Sequence, residues 1–291
     1  MSTLTINAQA SGTFALGGDL KVNRLGFGAM RITGEGVWGE PKNPGEARNV
    51  LRRAIELGVN FIDTADSYGP DVSERLIGET LSPYPKDLVI ATKGGLTRQG
   101  PNQWSPLGRP EYLRQQVEMS LRHLKLERID LYQLHRIDPK VPAAESLGAI
   151  ADLQKQGKIR HIGLSEVSAG EIEQAQKTVR IVSVQNRYNL SDRGHEDALE
   201  YCERHGLAFI PWFPVAAGKL AQPGGPLDSA AKQHGVSMAQ LSLAWLLHHS
   251  PVMLPIPGTS SVAHLEENVA SASLKLSDNE WQAIEKSAVS R

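Results

Sequence analysis

The 291-residue sequence contains a single cysteine, Cys202, so no internal disulfide can form. It falls in Asp197-Ala-Leu-Glu-Tyr-Cys-Glu-Arg204, which reads as a helix, and is expected to be a packed thiol. No apolar run reaches the roughly 18 residues that a membrane-spanning helix needs. Neither sign of charge predominates: 31 Lys and Arg stand against 32 Asp and Glu, a formal net of -1. No block of like charge occurs either, so neither nucleic acid nor an acidic membrane is expected as a partner. The first residues show no cationic stretch followed by an apolar core, and a cytoplasmic location is expected. No Pro/Ser-rich linker or low-complexity tract divides the chain. With 40% hydrophobic and 22% charged residues, the composition is that of a globular protein large enough to need no disulfide staple.

What is present is a rhythm. Thr13-Phe-Ala-Leu16 and Asp19-Leu-Lys-Val-Asn23 flank Gly17-Gly18 and predict a β-hairpin. Eight short apolar runs follow, most of them trailed by a helical pattern. They are Arg24–Gly28, Asn60–Asp63, Leu88–Lys93, Ile129–His135, His161–Ser165, Ile181–Asn186, Ala208–Trp212 and Val252–Pro257. Residues 44–57 carry apolar side chains at helical spacing and stop at Gly58. Pro110 opens a second clear helix through Leu124, and Pro142 a third through Gln156, closed by Gly157. Buried strands alternating with helices argue for parallel βαβ units. Eight units without a linker predict a closed (β/α)₈ barrel, with residues 1–291 as one domain and extra helices at 262–271 and 278–288.

Gly34-Glu-Gly-Val-Trp-Gly39 competes with that reading, because it matches the glycine pattern of dinucleotide-binding doubly wound folds. That pattern must join a strand to a helix start. Here no helix begins before Pro44, so the stretch is expected to be a flexible loop above the barrel, with Trp38 able to cover a ligand.

The active site of such a barrel forms where the strands end. Polar residues end several runs: Asp63, Lys93, His135, Ser165 with Glu166, and Gln185. Trp212 closes the seventh, and Tyr68 follows Asp63 in the loop. Alone, Asp63 reads as a cap, Lys93 as solvated, His135 as a core histidine and Tyr68 as loop packing. Together they suit one chemistry. A phenol is a poor acid near neutral pH, an adjacent ammonium is expected to lower its pKa, and a carboxylate holds that ammonium. A neutral imidazole can donate to a carbonyl oxygen. The set fits protonation of an oxygen that gains charge, as hydride addition to a carbonyl requires.

Three longer stretches are similar to one family. Gly58-Val-Asn-Phe-Ile-Asp-Thr-Ala-Asp-Ser-Tyr68, followed by Glu74 and Gly78, resembles the first signature of the aldo-keto reductase superfamily. Met119–His135 resembles the second, and Lys155-Gln-Gly-Lys-Ile-Arg-His-Ile-Gly-Leu-Ser165 is similar to the fifth-strand segment. The resemblance implies catalytic roles for Asp63, Tyr68, Lys93 and His135, with Tyr68 as proton donor, and an extended NADPH held without a Rossmann fold. It implies that Ser165 and Gln185 hold the nicotinamide carboxamide and that Trp212 stacks on the ring. It further implies that Gly218, Lys219 and Leu220 lie near the pyrophosphate, and that Gly258, Thr259, Ser260, His264, Glu267 and Asn268 bind the adenosine end. Glu166 departs from the asparagine of many members, and His264 from their arginine. Because 258–268 contains no Lys or Arg, a modest preference for NADPH over NADH is expected.

Asn23-Arg-Leu-Gly-Phe-Gly-Ala-Met30 and Ile256–Leu265 resemble a bacterial branch that includes pyridoxal reductases, which implies pyridoxal as a substrate. Loops carrying Trp38 and Trp104 are expected to bind flat aldehydes. Two other readings use the same scaffold. Some relatives are β-subunits of potassium channels that act as cofactor-binding sensors, a role the complete set of four residues argues against. A metal-dependent hydrolase would need a ligand pattern that the nine histidines do not form, and Lys93 would repel the cation. The sequence leaves the oligomeric state open.

Overall fold

A computed structural model describes residues 6–215 and 226–289. Strands β1 (Thr13–Leu16) and β2 (Leu20–Asn23) pair antiparallel as the expected hairpin. Its turn, Gly17-Gly18, has positive φ at both residues, a conformation open to glycine without a Cβ penalty.

The chain then builds parallel strands β3 (Phe27–Gly28), β4 (Phe61–Asp63) and β5 (Val89–Gly94). An antiparallel hairpin, β6 (Leu96–Gly100) and β7 (Gln103–Pro106), interrupts them. The parallel series resumes with β8 (Ile129–Leu134), β9 (Ile159–Ser165), β10 (Ile181–Gln185) and β11 (Ala208–Phe209). Their order in the sheet is β11-β10-β9-β8-β5-β4-β3.

The eighth apolar run closes the barrel without forming a strand. On one side Phe209 N donates to Val252 O at 2.9 Å and Leu254 N to Phe209 O at 2.8 Å. On the other, Gly26 N donates to Pro255 O at 3.0 Å and Gly28 N to Pro257 O at 3.4 Å. Pro255 and Pro257 have no N–H to return, so a regular ladder cannot form there. The closure is also tight: a Cβ on Gly28 would lie 2.5 Å from Ile256 O, and one on Gly258 2.6 Å from Gly28 O.

Strand periodicity decides what faces inward. Phe61, Val89, Ala91, Leu131, Ala208, Ile210, Leu254 and Ile256 fill the lower interior, and Leu16, Leu20 and Val22 of the hairpin join this cluster as its floor. Two residues further along, the inward positions turn polar: Phe61 gives way to Asp63, Ala91 to Lys93, and Leu131 to Gln133 and then His135. On β9 and β10 the paired Gly163 and Ser183 lead to Ser165 and Gln185. The outward residues Ile62 and Ile90 pack in one outer shell, and Tyr132, Ile162, Leu164 and Val184 in another. Fully burying such a side chain contributes about 1.5–3 kcal/mol.

Ten helices cover the barrel among the described residues. Helix α1 (Pro44–Glu56) starts with Asn43 Oδ1 accepting from Glu46 N at 3.0 Å. Then come α2 (Val72–Leu81), α3 (Pro110–His123), α4 (Ala143–Lys155), α5 (Ala169–Gln176), α6 (Glu196–His205), α7 (Pro226–His234) and α8 (Met238–His249). The last pair, α9 (Val262–Ala270) and α10 (Asp278–Val289), are the two additions expected beyond the eighth run. Cys202 is buried in α6, where burial pushes its thiol up to about 12. No helix among the described residues is long and apolar enough to cross a membrane.

Candidate active site

The inward ends of the strands meet a cleft of about 950 Å³ at the C-terminal rim of the barrel. Lys93 lies behind two of the lining residues, Asp63 and Tyr68, and is fully buried. Its Nζ donates to Asp63 Oδ1 at 2.5 Å, to Thr64 O at 2.8 Å and to Tyr68 Oη at 3.4 Å. The other carboxylate oxygen of Asp63 accepts from Gln133 Nε2 at 2.9 Å and from Gln185 Nε2 at 2.8 Å. Neither ion is left short of partners, which is the condition for a buried pair to persist.

Tyr68 comes from the loop after β4, which is fixed at several points. Asp66 N donates to Lys93 O, Tyr68 N to Ala65 O, and Gly69 N to Val37 O. His135 follows β8, and its ring meets that of Tyr68 edge-on, with centroids 6.0 Å apart. Ser67 Oγ lies 3.3 Å from His135 Nδ1, which leaves Nε2 for the cleft.

The electrostatics refine the expectation from the residues alone. Burial raises the phenol of Tyr68, while the Lys93 ammonium pulls it down. Burial wins, so Tyr68 lies above its ordinary range rather than below it, and it is fully protonated near neutral pH. Burial also works against the charge on Lys93, but the charges and hydrogen bonds of Asp63 and Tyr68 outweigh it and hold the ammonium. His135 is driven well below its ordinary value by burial, reinforced by Lys93, Arg136 and Arg98. The site therefore presents a neutral phenol and a neutral imidazole beside a buried cation.

From here the cleft runs to the start of α9. Ser165, Gln185 and Trp212 line the near part, and Gly258, Thr259, His264, Glu267 and Asn268 the far part. At the far end Ser261 N donates to Thr259 Oγ1 at 3.1 Å and Val262 N to Glu46 Oε1 at 3.1 Å. The next two N–H groups, of Ala263 and His264, have no protein partner among the described residues, an arrangement suited to an anion.

The sequence profile of the aldo/keto reductase family matches residues 24–289. The chain belongs to the aldo/keto reductase family. It is 54% identical over 280 residues to an uncharacterized oxidoreductase of Schizosaccharomyces pombe, covering 96% of this chain and 91% of that protein. It is 42% identical over 275 residues to pyridoxine 4-dehydrogenase of Escherichia coli, covering 92% and 96%. The structure of an aldo-keto reductase from Klebsiella pneumoniae in complex with NADPH superposes with a TM-score of 0.80 at 26% identity, covering 94% of each chain.

The remaining expected positions fare differently. Ser260 is exposed and does not line the cleft. Gly218, Lys219 and Leu220 lie outside the described residues. Trp104 lines the cleft and meets the Tyr68 ring edge-on at 6.4 Å, but Trp38 is not part of the wall. Its ring lies 5.6 Å from Arg98 Cζ, and the same guanidinium lies 3.6 Å from the Trp104 ring. The Gly34–Gly39 stretch is not loose. Gly39 N donates to Gly69 O at 2.6 Å, and Arg98 donates to the carbonyls of Gly36 and Val37.

Glu166 has a structural task of its own. It takes a positive φ of 56°, and its Oε1 accepts from Arg187 N at 2.7 Å and from Trp212 Nε1 at 2.6 Å. The carboxylate thus holds the indole in the cleft wall. Sequence reasoning missed Gln133, Ser67, Arg98 and Arg136. Gln133 was open to discovery, since it shares the inward face of β8 with His135 two residues on.

Proposed function

We propose that this chain reduces an aldehyde or ketone to the alcohol with NADPH, Tyr68 supplying the proton. One observation carries the reading: the ammonium of Lys93 touches both the Asp63 carboxylate and the Tyr68 hydroxyl at the closed end of the cleft. When bound, the dinucleotide supplies the hydride. The NADPH complex of the Klebsiella pneumoniae neighbour supports that choice, as do the unpartnered N–H groups where α9 begins. Ser165 and Gln185 would hold the nicotinamide end, Trp212 would cover it, and Gly258, Thr259, His264, Glu267 and Asn268 would hold the adenosine end.

The chain's own groups do the rest. His135 donates from Nε2 to the carbonyl oxygen and orients it. As that oxygen gains charge, Tyr68 Oη gives up its proton, and the phenolate left behind is stabilised by Lys93. Asp63 keeps Lys93 in place and charged. The family match over residues 24–289 supports reading the whole chain as one barrel domain. The 42% identity to a pyridoxine 4-dehydrogenase supports pyridoxal as substrate.

The test is NADPH oxidation with pyridoxal and a panel of aldehydes, using the wild type and Tyr68→Phe. The variant should lose about 10²–10⁴-fold in turnover while its Kd for NADPH stays within about twofold, since the ring and its packing remain. A Tyr68→Phe enzyme with near-normal turnover overturns the assignment. A wild type that binds NADPH but turns over no aldehyde overturns the enzymatic reading itself.

A further inference from the structure

Beside the reacting end of the cleft stands a cation that the reduction chemistry leaves unused. Arg136 follows His135 and lines the cleft, half-buried. One nitrogen, Nη1, donates to His135 O at 2.6 Å and to Ser165 Oγ at 3.1 Å. These are its only hydrogen bonds among the described residues, and they account for both hydrogens of Nη1. The Nη2 and Nε hydrogens have no protein acceptor among the described residues.

The carboxylates nearby are already engaged. Asp63 is paired with Lys93 and bonded to two glutamines. Glu166 acts on Arg136 through space, yet its Oε1 is held by Arg187 N and Trp212 Nε1, and it makes no ion pair with Arg136. A half-buried guanidinium without a counter-ion is costly. Its free edge is a rigid fork of donors suited to an anionic oxygen.

The walls around it set the shape of what enters. Trp104, Trp212, Phe213, Leu96 and Met30 line the same cleft, which suits a flat ring. Arg136 Nη1 is bonded to the backbone of His135, whose ring meets that of Tyr68 edge-on at 6.0 Å, and all three residues line the cleft. An anion held by Arg136 would therefore be a near neighbour of the reacting carbonyl on the same molecule.

We infer that Arg136 recognises an ionised oxygen next to the carbonyl, so that the favoured substrates are flat aromatic aldehydes with an ionised hydroxyl ortho to the formyl group. Arg136 acts here in substrate recognition, and the inference rests on the carbonyl-reductase reading above. It goes further by assigning the substrate class to a residue with no place in the proton-transfer set.

The experiment compares two aldehydes of similar shape. 5-Nitrosalicylaldehyde is ionised at neutral pH, whereas its methyl ether, 2-methoxy-5-nitrobenzaldehyde, is neutral. The wild type should favour the ionised compound by roughly 10–100-fold in kcat/KM, mostly through KM, the range expected for a charge-assisted hydrogen bond. Arg136→Met should bring the ratio of the two kcat/KM values to within about threefold of unity, and Arg136→Lys should keep part of the preference. Binding of 2-hydroxy-5-nitrobenzonitrile, which is ionised at the ortho oxygen near neutral pH and has no carbonyl to reduce, to the NADP⁺ complex, followed by tryptophan fluorescence, should weaken by a similar factor in Arg136→Met. That readout needs no turnover, and the wild-type comparison needs no variant. A wild type that treats the two aldehydes alike overturns the inference, as does an Arg136→Met enzyme that keeps the preference. In both cases aldehyde reduction persists, so the reductase reading survives. A wild type that binds 2-hydroxy-5-nitrobenzonitrile but turns over neither aldehyde would strike that reading instead.

Discussion

Lys93 Nζ lies 2.5 Å from Asp63 Oδ1, with both side chains almost wholly excluded from solvent. Breaking such a pair from one side leaves an uncompensated charge, which costs about 3–5 kcal/mol. Lys93→Met should therefore lose both activity and stability, the second read as a lower midpoint in urea. Gln133 and Gln185 still donate to Asp63, which places the loss at the lower end of that range. The double variant Lys93→Met/Asp63→Asn should recover most of the stability and none of the activity. Recovery of activity in the double variant would show that the ammonium is not needed to stabilise the phenolate.

The two shifted acids set the pH profile. With Tyr68 as the proposed proton donor, reduction needs it protonated, so activity holds below its pKa, and burial has moved that pKa above the ordinary value of about 10. It also needs His135 neutral, so activity holds above its pKa, and burial with three nearby cations has moved that well below about 6.5. With a non-ionising aldehyde, kcat/KM for reduction should be flat from about pH 6.5 to pH 10. Oxidation of the alcohol, which needs the phenolate as base, should rise through the same interval. A reduction profile that falls near pH 8 would mean that Lys93 outweighs burial at Tyr68.

Arg98 ties together the loops that frame Tyr68. Its guanidinium donates to the carbonyls of Gln103, Val37, Ser67, Gly36 and Gly100 and packs between the Trp38 and Trp104 rings. Ser67 precedes Tyr68, and Trp104 meets its ring edge-on, so slack in the clamp reaches the proposed proton donor. Arg98→Leu should lower kcat by about 10-fold or more, since small misplacement of a reacting group is expensive. The adenosine end lies away from it, so NADPH affinity should change little. Amide hydrogen exchange in residues 34–39 and 96–106 should speed up. Unchanged exchange in both segments would show that the clamp does not hold them.

These residues also mark where the sequence was legible. Asp63, Lys93 and His135 could be placed because each ends an apolar run whose alternate residues fill the barrel, so strand periodicity alone turns them inward. Gly17-Gly18 announced its hairpin through turn chemistry. The β6–β7 hairpin was silent because Thr97-Arg98-Gln99 has no apolar face to bury, and its order comes from contacts that Arg98 makes across the chain. Val252–Pro257 reads as an ordinary strand until the missing N–H groups of Pro255 and Pro257 are set against their neighbours. Glu166 stood out as a departure from the family pattern, but its bond to Trp212 joins residues 46 positions apart, which no local pattern reports.

Cofactor choice turns on what faces a 2′-phosphate. The segment 258–268 carries no Lys or Arg, and its cleft-lining cation candidate is His264, which is exposed. The structure adds a second candidate from a different part of the chain. Arg31, after β3, lines the same cleft, and its Cγ lies 3.4 Å from where a Cβ on Gly258 would be. The two make different demands. If His264 holds the phosphate, His264→Gln should lower the ratio of the NADH and NADPH dissociation constants, and Arg31→Met should leave it nearly unchanged. If Arg31 holds it, Arg31→Met should reduce the ratio by roughly 10-fold or more, as for the loss of one charge-assisted hydrogen bond. The expected result is a modest preference for NADPH that depends on His264, because Arg31 is exposed and its long side chain loses entropy on binding. Fluorescence titration of both dinucleotides at about pH 8, where a phosphate monoester with a second pKa of about 6 is ionised, decides between them, and a preference that survives both variants would exclude both.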